Sequence, residues 1–275
     1  MSSISIERKL LLEGIYLKYG YDFRDYAESS MDRRIEAVLT RFDLPDEAAL
    51  LAQILRDKDF FYRIIPVMTI STSEMFRDPE FFLSLRTNVI PMLRTYPNLN
   101  VWIAGCSTGE EVYSMAILLK EEGLYERSRI YATDINPRSI QIAKEGIYDL
   151  GSVRSFTRNY TLAGGLNTPS DYYTADYNRA RFRANLRENV IFSEHNLATD
   201  AVFMEAHLIL CRNVLIYFNR TLQSNVFELF YDSLSPRGFL GLGSKETLRF
   251  SHMDRAFEIV DHENKIFRKN PLKKG

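Results

Sequence analysis

The sequence predicts an α/β protein: a doubly wound, mostly parallel sheet with an antiparallel edge, preceded by a small all-α domain and interrupted by an inserted subdomain. Up to about residue 68, apolar residues recur at helical spacing. After that point, apolar β-branched runs alternate with helical stretches, and one polar segment breaks the alternation. We therefore divide the 275 residues into a helical domain over 1–68 and a second domain over 69–275, with an insertion at about 148–190.

The helical domain is predicted from periodicity. In MDRRIEAVLTRF, which begins at residue 31, the apolar side chains form one stripe: Met31, Ile35, Val38, Leu39 and Phe42. The following LPDEAALLAQILRD opens with a proline and then acidic residues, as helices often do. Arg34 and Arg41 would share a flank beside the stripe, where they could contact an acidic helix of a partner. The alternative is an ordinary solvated face.

The second domain supplies the strands. Five apolar β-branched runs alternate with helical stretches and predict parallel strands between helices: NVWIAG, RIYATDI, NVIFSEH, HLILCRN and FLGLGS. The tail, RAFEIVDHENKIFRKN, predicts two short strands joined at a turn, and hence the antiparallel edge. The segment 148–190 is rich in tyrosine and arginine and too long for an ordinary crossover. It predicts a subdomain or lid, with a surface loop as the alternative.

Composition and charge argue against several classes of function. A formal net charge of −1 gives no overall field toward nucleic acid. No apolar run approaches the roughly 20 residues of a membrane helix, and the first residues lack a signal-peptide layout. Cys106 and Cys211 lie in apolar strand contexts, so we expect reduced thiols and a cytoplasmic protein. The histidines and cysteines show no metal-ligand spacing, and we expect no metal site.

The turn GCSTGEE, after the first predicted strand, carries a chemical signal. Strand, small-residue turn and helix form a Rossmann-like layout, but the glycines do not match GxGxxG and no lysine follows Gly109 as in a P-loop. Glu110 and Glu111 would repel a pyrophosphate. They suit a ligand with hydroxyls and positive charge, such as S-adenosylmethionine. The alternative is that they only complement the helix dipole.

Two further strand ends add polar side chains. Asp134 lies near the end of RIYATDI, where such folds hold ribose hydroxyls; it could also cap the next helix, and the two roles can coexist. Arg212 and Asn213 emerge at the carboxyl end of HLILCRN, where open α/β sheets bind ligands. Tyr217 follows them, and taken alone a buried tyrosine is more often structural than catalytic.

Together these motifs resemble those of the chemotaxis receptor methyltransferases, the CheR family. TISTSEMFRD, STGEEVYS, ATDIN, HNL and CRNVLIYF occur in the family's order, and YAESSMDRRI is similar to part of its N-terminal helical domain. The resemblance covers essentially the whole chain. It implies an S-adenosylmethionine-dependent protein-glutamate O-methyltransferase that acts on chemoreceptors.

The resemblance also implies the site residues. Arg77 and Tyr217 would flank the transferring methyl group as the catalytic pair. The cofactor would be surrounded by Ser71, Ser73, Arg77, Glu111, Asp134, Asn196, Leu197, Arg212 and Asn213. Asp134 would hold the ribose, with Asn196 and Leu197 near the adenine.

Three segments depart from the family pattern. The family's N-x-T-x-F-F-R reads STSEMFR over 71–77, Val112 replaces the proline after the paired glutamates, and the late G-H-S-E reads GSKE over 243–246. These changes bear on the cofactor contacts and leave the class unchanged. For Arg77, a surface ion pair with Asp78 or Glu80 is the alternative.

The implied chemistry agrees with these residues. A glutamate acceptor has an ordinary pKa of about 4.3 and is already ionised, so the reaction needs positioning rather than a base. We expect acidic receptor helices as partners and a monomeric protein. No receptor tether peptide is expected, because TPSDYYTADYNRARFRANL contains no glycine. A small-molecule methyltransferase and a non-catalytic S-adenosylmethionine sensor stay open.

Overall fold

A bundle of helices opens the fold. The computed structural model describes residues 5–70, 72–249 and 251–272. The first helices in that part of the chain are α1 (Ile6–Tyr19), α2 (Glu28–Phe42), α3 (Glu47–Arg56) and α4 (Lys58–Met68). Ser5 caps α1 by accepting the Arg8 N–H at 3.0 Å, and aspartates cap α3 and α4 in the same way.

The four helices close around an apolar core of their own. Met31, Ile35 and Val38 of the predicted stripe are buried, and the rest of the stripe packs at the margin of the core. Tyr19 and Phe61 stack within it, with ring centroids 3.8 Å apart. The predicted helical character of this region is confirmed, whereas its boundary at residue 68 stays a prediction.

Strands and helices alternate in the rest of the chain. The helices that follow are α5 (Pro79–Ser84), α6 (Ile90–Leu93), α7 (Glu110–Glu121), α8 (Pro137–Glu145), α9 (Leu150–Leu162) and α10 (Arg220–Ser233). The strands are β1 (Leu99–Ala104), β2 (Ser128–Asp134), β3 (Ile147–Asp149), β4 (Tyr173–Asp176), β5 (Arg179–Phe182), β6 (Val190–Glu194), β7 (Ala206–Cys211), β8 (Leu234–Leu242), β9 (Phe257–Asp261) and β10 (Ile266–Lys269).

Within the described residues the main sheet has seven strands in the order β6-β2-β1-β7-β8-β10-β9. Strands β6, β2, β1, β7 and β8 are parallel, and β10 runs antiparallel to both of its neighbours. The predicted parallel sheet with an antiparallel edge is therefore confirmed. Parallel strands bring their carboxyl ends to one edge of the sheet, which is where such folds bind ligands.

Both faces of the sheet are covered, as a doubly wound fold requires. Along β1, Val101 and Ile103 join the apolar cluster that includes α7, whereas Trp102 and Ala104 join the cluster that includes α10. Because successive side chains of a strand point to opposite faces, β1 must be apolar throughout to fill both layers. This explains the unbroken apolar run in its sequence.

The segment predicted as an insertion contains α9 and two strands of a small antiparallel sheet. That sheet has the order β3-β5-β4 and begins at Ile147. Phe156 and Tyr160 of α9 and Phe182 of β5 are buried, and the rings of Phe156 and Phe182 contact each other. The Glu121 carboxylate, at the end of α7, accepts hydrogen bonds from the Tyr160 and Tyr172 hydroxyls. The segment therefore packs on the main domain through side chains of its own.

Candidate functional site

The turn after β1 is shaped by two glycines with positive φ. Gly105 has φ 74°, and a Cβ there would lie 2.5 Å from Val214 Cγ2. Gly109 has φ 96°, and a Cβ there would lie 2.7 Å from that of Ala143. Both positions therefore need glycine for its conformation and for the close approach. The N–H groups of residues 105 and 106 each donate to the Thr133 carbonyl at 2.8 Å, which fixes the turn against β2.

Asp134 projects into this turn from the end of β2. Its Oδ2 accepts the Ser107 N–H at 2.8 Å and its Oδ1 accepts the Asn136 N–H at 2.9 Å. Burial raises the pKa of the Asp134 carboxyl above its ordinary value, and these N–H donors oppose that shift. The alternative that Asp134 caps α8 is wrong, because Asn136 Oδ1 accepts the N–H groups of Arg138 and Ser139.

The paired glutamates of α7 have different environments. Glu110 is buried, accepts the Thr108 hydroxyl at 2.7 Å, and has a pKa that burial raises. Glu111 lines the cleft at the carboxyl edge of the sheet and pairs with Arg212 at 2.6 Å. One carboxylate thus supports the turn, while the other faces the space where a ligand would lie.

Arg212 joins three segments at the end of β7. Besides Glu111, its guanidinium donates to the Asp78 carboxylate at 2.7 Å and to the Arg77 carbonyl at 3.0 Å. It also lies 4.1 Å from the ring centroid of Phe81. Arg212 therefore lines the cleft and at the same time holds the segment that carries Arg77.

The Arg77 side chain lines the cleft without a partner among the described residues. In the described part of the chain it forms no ion pair, and Asp78 pairs with Arg212 instead. The alternative of a surface ion pair with Asp78 or Glu80 is therefore not found among these residues. A free guanidinium in the cleft can orient a carboxylate through its planar fork.

Glu246 was not among the predicted site residues, and it organises the loop after β7. Its carboxylate accepts the N–H groups of Asn213 at 3.0 Å, Val214 at 2.8 Å, Leu215 at 2.7 Å and Gly243 at 2.6 Å. Asn213 has φ 61°, an unusual conformation that these bonds hold in place. The available signal was the GSKE segment, whose last residue matches the family pattern.

Tyr217 meets an arginine from the helical bundle. The Arg34 guanidinium carbon lies 4.6 Å from the Tyr217 ring centroid, and its Nη1 donates to the Met68 carbonyl at 2.8 Å. Its Nε and Nη2 are buried, with no hydrogen-bond partner among the described residues. Burial lowers the pKa of Arg34 below its ordinary value.

The position of Arg34 corrects an expectation. We expected Arg34 and Arg41 to share an exposed flank, but Arg34 is only 4% exposed whereas Arg41 is exposed. Arg34 comes three residues after Met31 and four before Val38, so helical geometry turns it toward the buried face. It lines the cleft rather than an outer surface.

The HNL segment, residues 195–197, also lines the cleft. Asn196 follows β6 and turns the chain, with its N–H donating to Asp200 at 2.8 Å and its Oδ1 accepting the Ala198 N–H at 3.0 Å. Leu197 presents an apolar side chain to the cleft beside it. An amide next to an apolar side chain suits a flat heteroaromatic ring.

One cleft of about 920 Å³, including its open mouth, brings the predicted residues together. Of the predicted set, the described residues that line it are Ser73, Arg77, Glu111, Asp134, Asn196, Leu197, Arg212, Asn213 and Tyr217. Ser71 lies outside the described residues. Arg34 and His195 line the cleft as well and were not predicted to do so.

Among the described residues, no group of histidine, cysteine or carboxylate side chains has the arrangement of a metal site. No helix within the same residues is long and apolar enough to cross a membrane.

Two family models match the chain, and proteins named methyltransferases are similar to it over most of its length. The family model described as "CheR methyltransferase, SAM binding domain" matches residues 71–266, and "CheR methyltransferase, all-alpha domain" matches residues 6–69. A Pseudomonas putida protein that is named a methyltransferase, Cher3, is 54% identical over 96% of this chain and 97% of its own. A chemotaxis protein methyltransferase of Vibrio cholerae is 30% identical over 82% of this chain and 83% of its own.

Similarity to solved structures is more distant. The N-methyltransferase NodS from Bradyrhizobium japonicum is 14% identical, with a TM-score of 0.38 over 71% of this chain and 97% of that one.

Proposed function

The chain belongs to the CheR methyltransferase family, and on that premise we propose that it methylates glutamate side chains of chemoreceptor-type signalling proteins. It is an S-adenosylmethionine-dependent methyltransferase, as the family match over 71–266 shows. The product on the receptor would be a glutamate methyl ester. One observation carries the choice of a carboxylate acceptor: beside Tyr217, the buried Arg34 guanidinium has two nitrogens that no described residue pairs.

The residues of the cleft fit S-adenosylmethionine. Asp134 would hold the ribose hydroxyls, and the Glu111 and Asp78 carboxylates share one Arg212 guanidinium, which leaves a net negative charge suited to a ligand that carries an ammonium and a sulfonium. Asn196 and Leu197 would lie at the adenine. Gly105 lets Val214 pack closely against the turn, because a Cβ there would meet the Val214 side chain. When bound, the cofactor supplies an electrophilic methyl group on its sulfonium.

The acceptor end of the cleft would hold a carboxylate. Within the described residues the Arg77 guanidinium and two Arg34 nitrogens have no partner, and Tyr217 adds a hydroxyl; all three side chains line the cleft. A glutamate with an ordinary pKa of about 4.3 arrives ionised, so these donors need only orient its oxygen toward the methyl group. Holding two reactants in line accounts for a large share of the rate acceleration in such reactions.

The proposal places the reaction in the cytoplasm, on acidic helices of receptors. The described cysteines, Cys106 and Cys211, are free and buried, which suits a reducing compartment. A monomer fits the proposal, because one chain contributes every group named in the cleft.

Radiolabel transfer tests the proposed reaction. The full-length protein is incubated with methyl-labelled S-adenosylmethionine and cytoplasmic fragments of candidate chemoreceptors. We expect label on receptor protein that mild base releases as methanol, because carboxyl methyl esters hydrolyse readily. Base-stable label, or label only on small molecules, contradicts glutamate methylation. Cofactor binding with no transfer to any acceptor would instead favour a sensing module.

A further inference from the structure

We propose that Arg154 and Arg158 on α9 form a docking strip for the acidic helix that presents the acceptor glutamate. This inference rests on the proposed function, since it states where the flanking part of that helix lies while its glutamate enters the cleft. The strip lies outside the cleft, whereas Arg34 and Arg77 act within it.

The strip borders an opening of the cofactor cleft. Ser155 of α9 lines a shallow depression together with Thr72, Ser73, Glu74 and Arg77, and those four residues also line the cleft. Arg154 directly precedes Ser155, and Arg158 follows it by about one helical turn. A chain segment that crosses α9 at this point is therefore next to the entrance for its side chains.

Packing fixes α9 in this position. Asn159 Nδ2 donates to the Met75 carbonyl at 3.1 Å, close to Arg77 in the sequence. The rings of Phe156 and Tyr160 contact Phe76, with centroids 6.0 and 5.4 Å away. These contacts hold one face of α9 against the segment that carries Arg77 and leave Arg154 and Arg158 exposed.

Neither arginine has a partner in the part of the chain that the structure describes. Both are exposed, neither forms an ion pair with a described residue, and α9, LGSVRSFTRNYTL, contains no acidic residue. Like charges one turn apart disfavour a helix, so this pair does not stabilise α9. At the opening itself Glu74 and Arg77 carry opposite charges, so the surplus positive charge is on α9.

The spacing of the strip matches an acidic helix. Two helices share the same rise of about 5.4 Å per turn, so carboxylates one turn apart on a partner can meet Arg154 and Arg158 together. Exposed ion pairs of this kind add little affinity one by one, but they set orientation and encounter rate. The predicted occupant is therefore a segment with acidic residues on successive turns around the methylated glutamate.

Peptide binding tests the strip. The full-length protein is saturated with S-adenosylhomocysteine and titrated into a fluorescent, glutamate-rich helical peptide at low salt. The double variant Arg154→Glu/Arg158→Glu is compared with Arg129→Glu/Arg255→Glu, which reverses the same charge at exposed positions near the amino ends of the parallel strands. We expect the α9 variant to bind at least about 10-fold more weakly than wild type, and the control to bind within about two-fold of it.

Each outcome decides for or against the strip. Equal weakening in both double variants, or absence of peptide binding by wild type, overturns it. When the peptide's glutamates are replaced by glutamine, wild type and the α9 variant should bind it equally, and that result supports the strip. If Arg154→Glu/Arg158→Glu has a lower melting temperature than wild type, Arg154→Gln/Arg158→Gln takes its place, and its peptide binding should be about three-fold weaker than that of wild type.

The failure of this inference is separate from failure of the proposed function. A protein that binds the peptide through α9 but transfers no methyl group to receptor fragments keeps the strip and loses the methylation proposal. A protein that methylates receptors while both double variants bind equally keeps the function and loses the strip.

Discussion

The Arg34 guanidinium carbon lies 4.6 Å from the ring centroid of Tyr217, which joins the helical bundle to the loop after β7. Two neighbouring contacts strengthen the junction. The Ala27 N–H donates to the Tyr217 carbonyl at 2.8 Å, and the rings of Tyr26 and Phe218 meet edge to face at 4.9 Å. The N-terminal helices therefore form part of the cleft wall.

Replacing Arg34 by glutamine should impair the use of the acceptor more than the binding of cofactor. The lost hydrogen bonds to a carboxylate correspond to about 1.5–3 kcal/mol, or roughly 10- to 150-fold in receptor methylation. Arg33→Gln, at an exposed position on the same helix, is the matched control and should leave the rate unchanged. Calorimetry with S-adenosylhomocysteine completes the test. A large loss of cofactor affinity in Arg34→Gln would assign Arg34 to the cofactor instead of the acceptor.

Tyr217→Phe separates a catalytic role from a structural one. The change keeps the ring under Arg34 and removes one hydroxyl, so we expect turnover to fall by about 10-fold with nearly unchanged cofactor affinity. Turnover and melting temperature are measured on the same preparation. A lower melting temperature with a wild-type rate per folded molecule would make Tyr217 structural, and the paired assignment of Arg77 would weaken with it.

Asp134 should make cofactor binding depend on pH. Burial raises its pKa in the free protein, and the ionised carboxylate accepts hydrogen bonds from ribose hydroxyls more strongly than the protonated form does. As the pH falls through the raised pKa, the carboxyl takes up a proton and affinity for S-adenosylhomocysteine falls, at a higher pH than for an ordinary aspartate. Asp134→Asn should lose about 1–3 kcal/mol of binding and this part of the pH dependence. Identical pH profiles for wild type and variant would remove Asp134 from the ribose site.

Glu246→Ala should destabilise the protein through the loop after β7. The variant leaves four N–H groups without their acceptor, at a cost of roughly 3 kcal/mol or more and a melting temperature lower by roughly 5–10 °C. Lys245→Ala, at the exposed neighbouring position, serves as the control and should melt like wild type. Thermal melts followed by circular dichroism give the comparison. Equal melting temperatures for the two variants would mean that the carboxylate does not hold this loop.

The sheet was predictable because each strand is marked by its own residues. The apolar runs of β1 and β7 reflect burial on both faces, and the paired short strands at the end of the chain reflect the antiparallel edge. The carboxyl edge of the sheet then indicates where Asp134 and Asn213 must lie. Here local sequence patterns determine both the fold and the place of the site.

Two features depended on contacts that local patterns do not reveal. Arg34 lies between apolar positions of α2, and a charged residue is ordinarily expected at the surface. Its burial is explained by Tyr217 and the Met68 carbonyl, which contact its guanidinium. Glu246 acts on N–H groups of Asn213–Leu215, far away in the sequence. Only tertiary structure reveals such pairings.

The most direct test of the central claim locates the methyl group on the acceptor. A receptor cytoplasmic fragment is incubated with S-adenosylmethionine and either wild-type protein or Tyr217→Phe, and mass spectrometry maps the modification. We predict methyl esters on glutamate side chains, formed about 10-fold more slowly by the variant. A methyl group on any other type of residue, or none on a fragment that wild-type protein binds, would contradict the account.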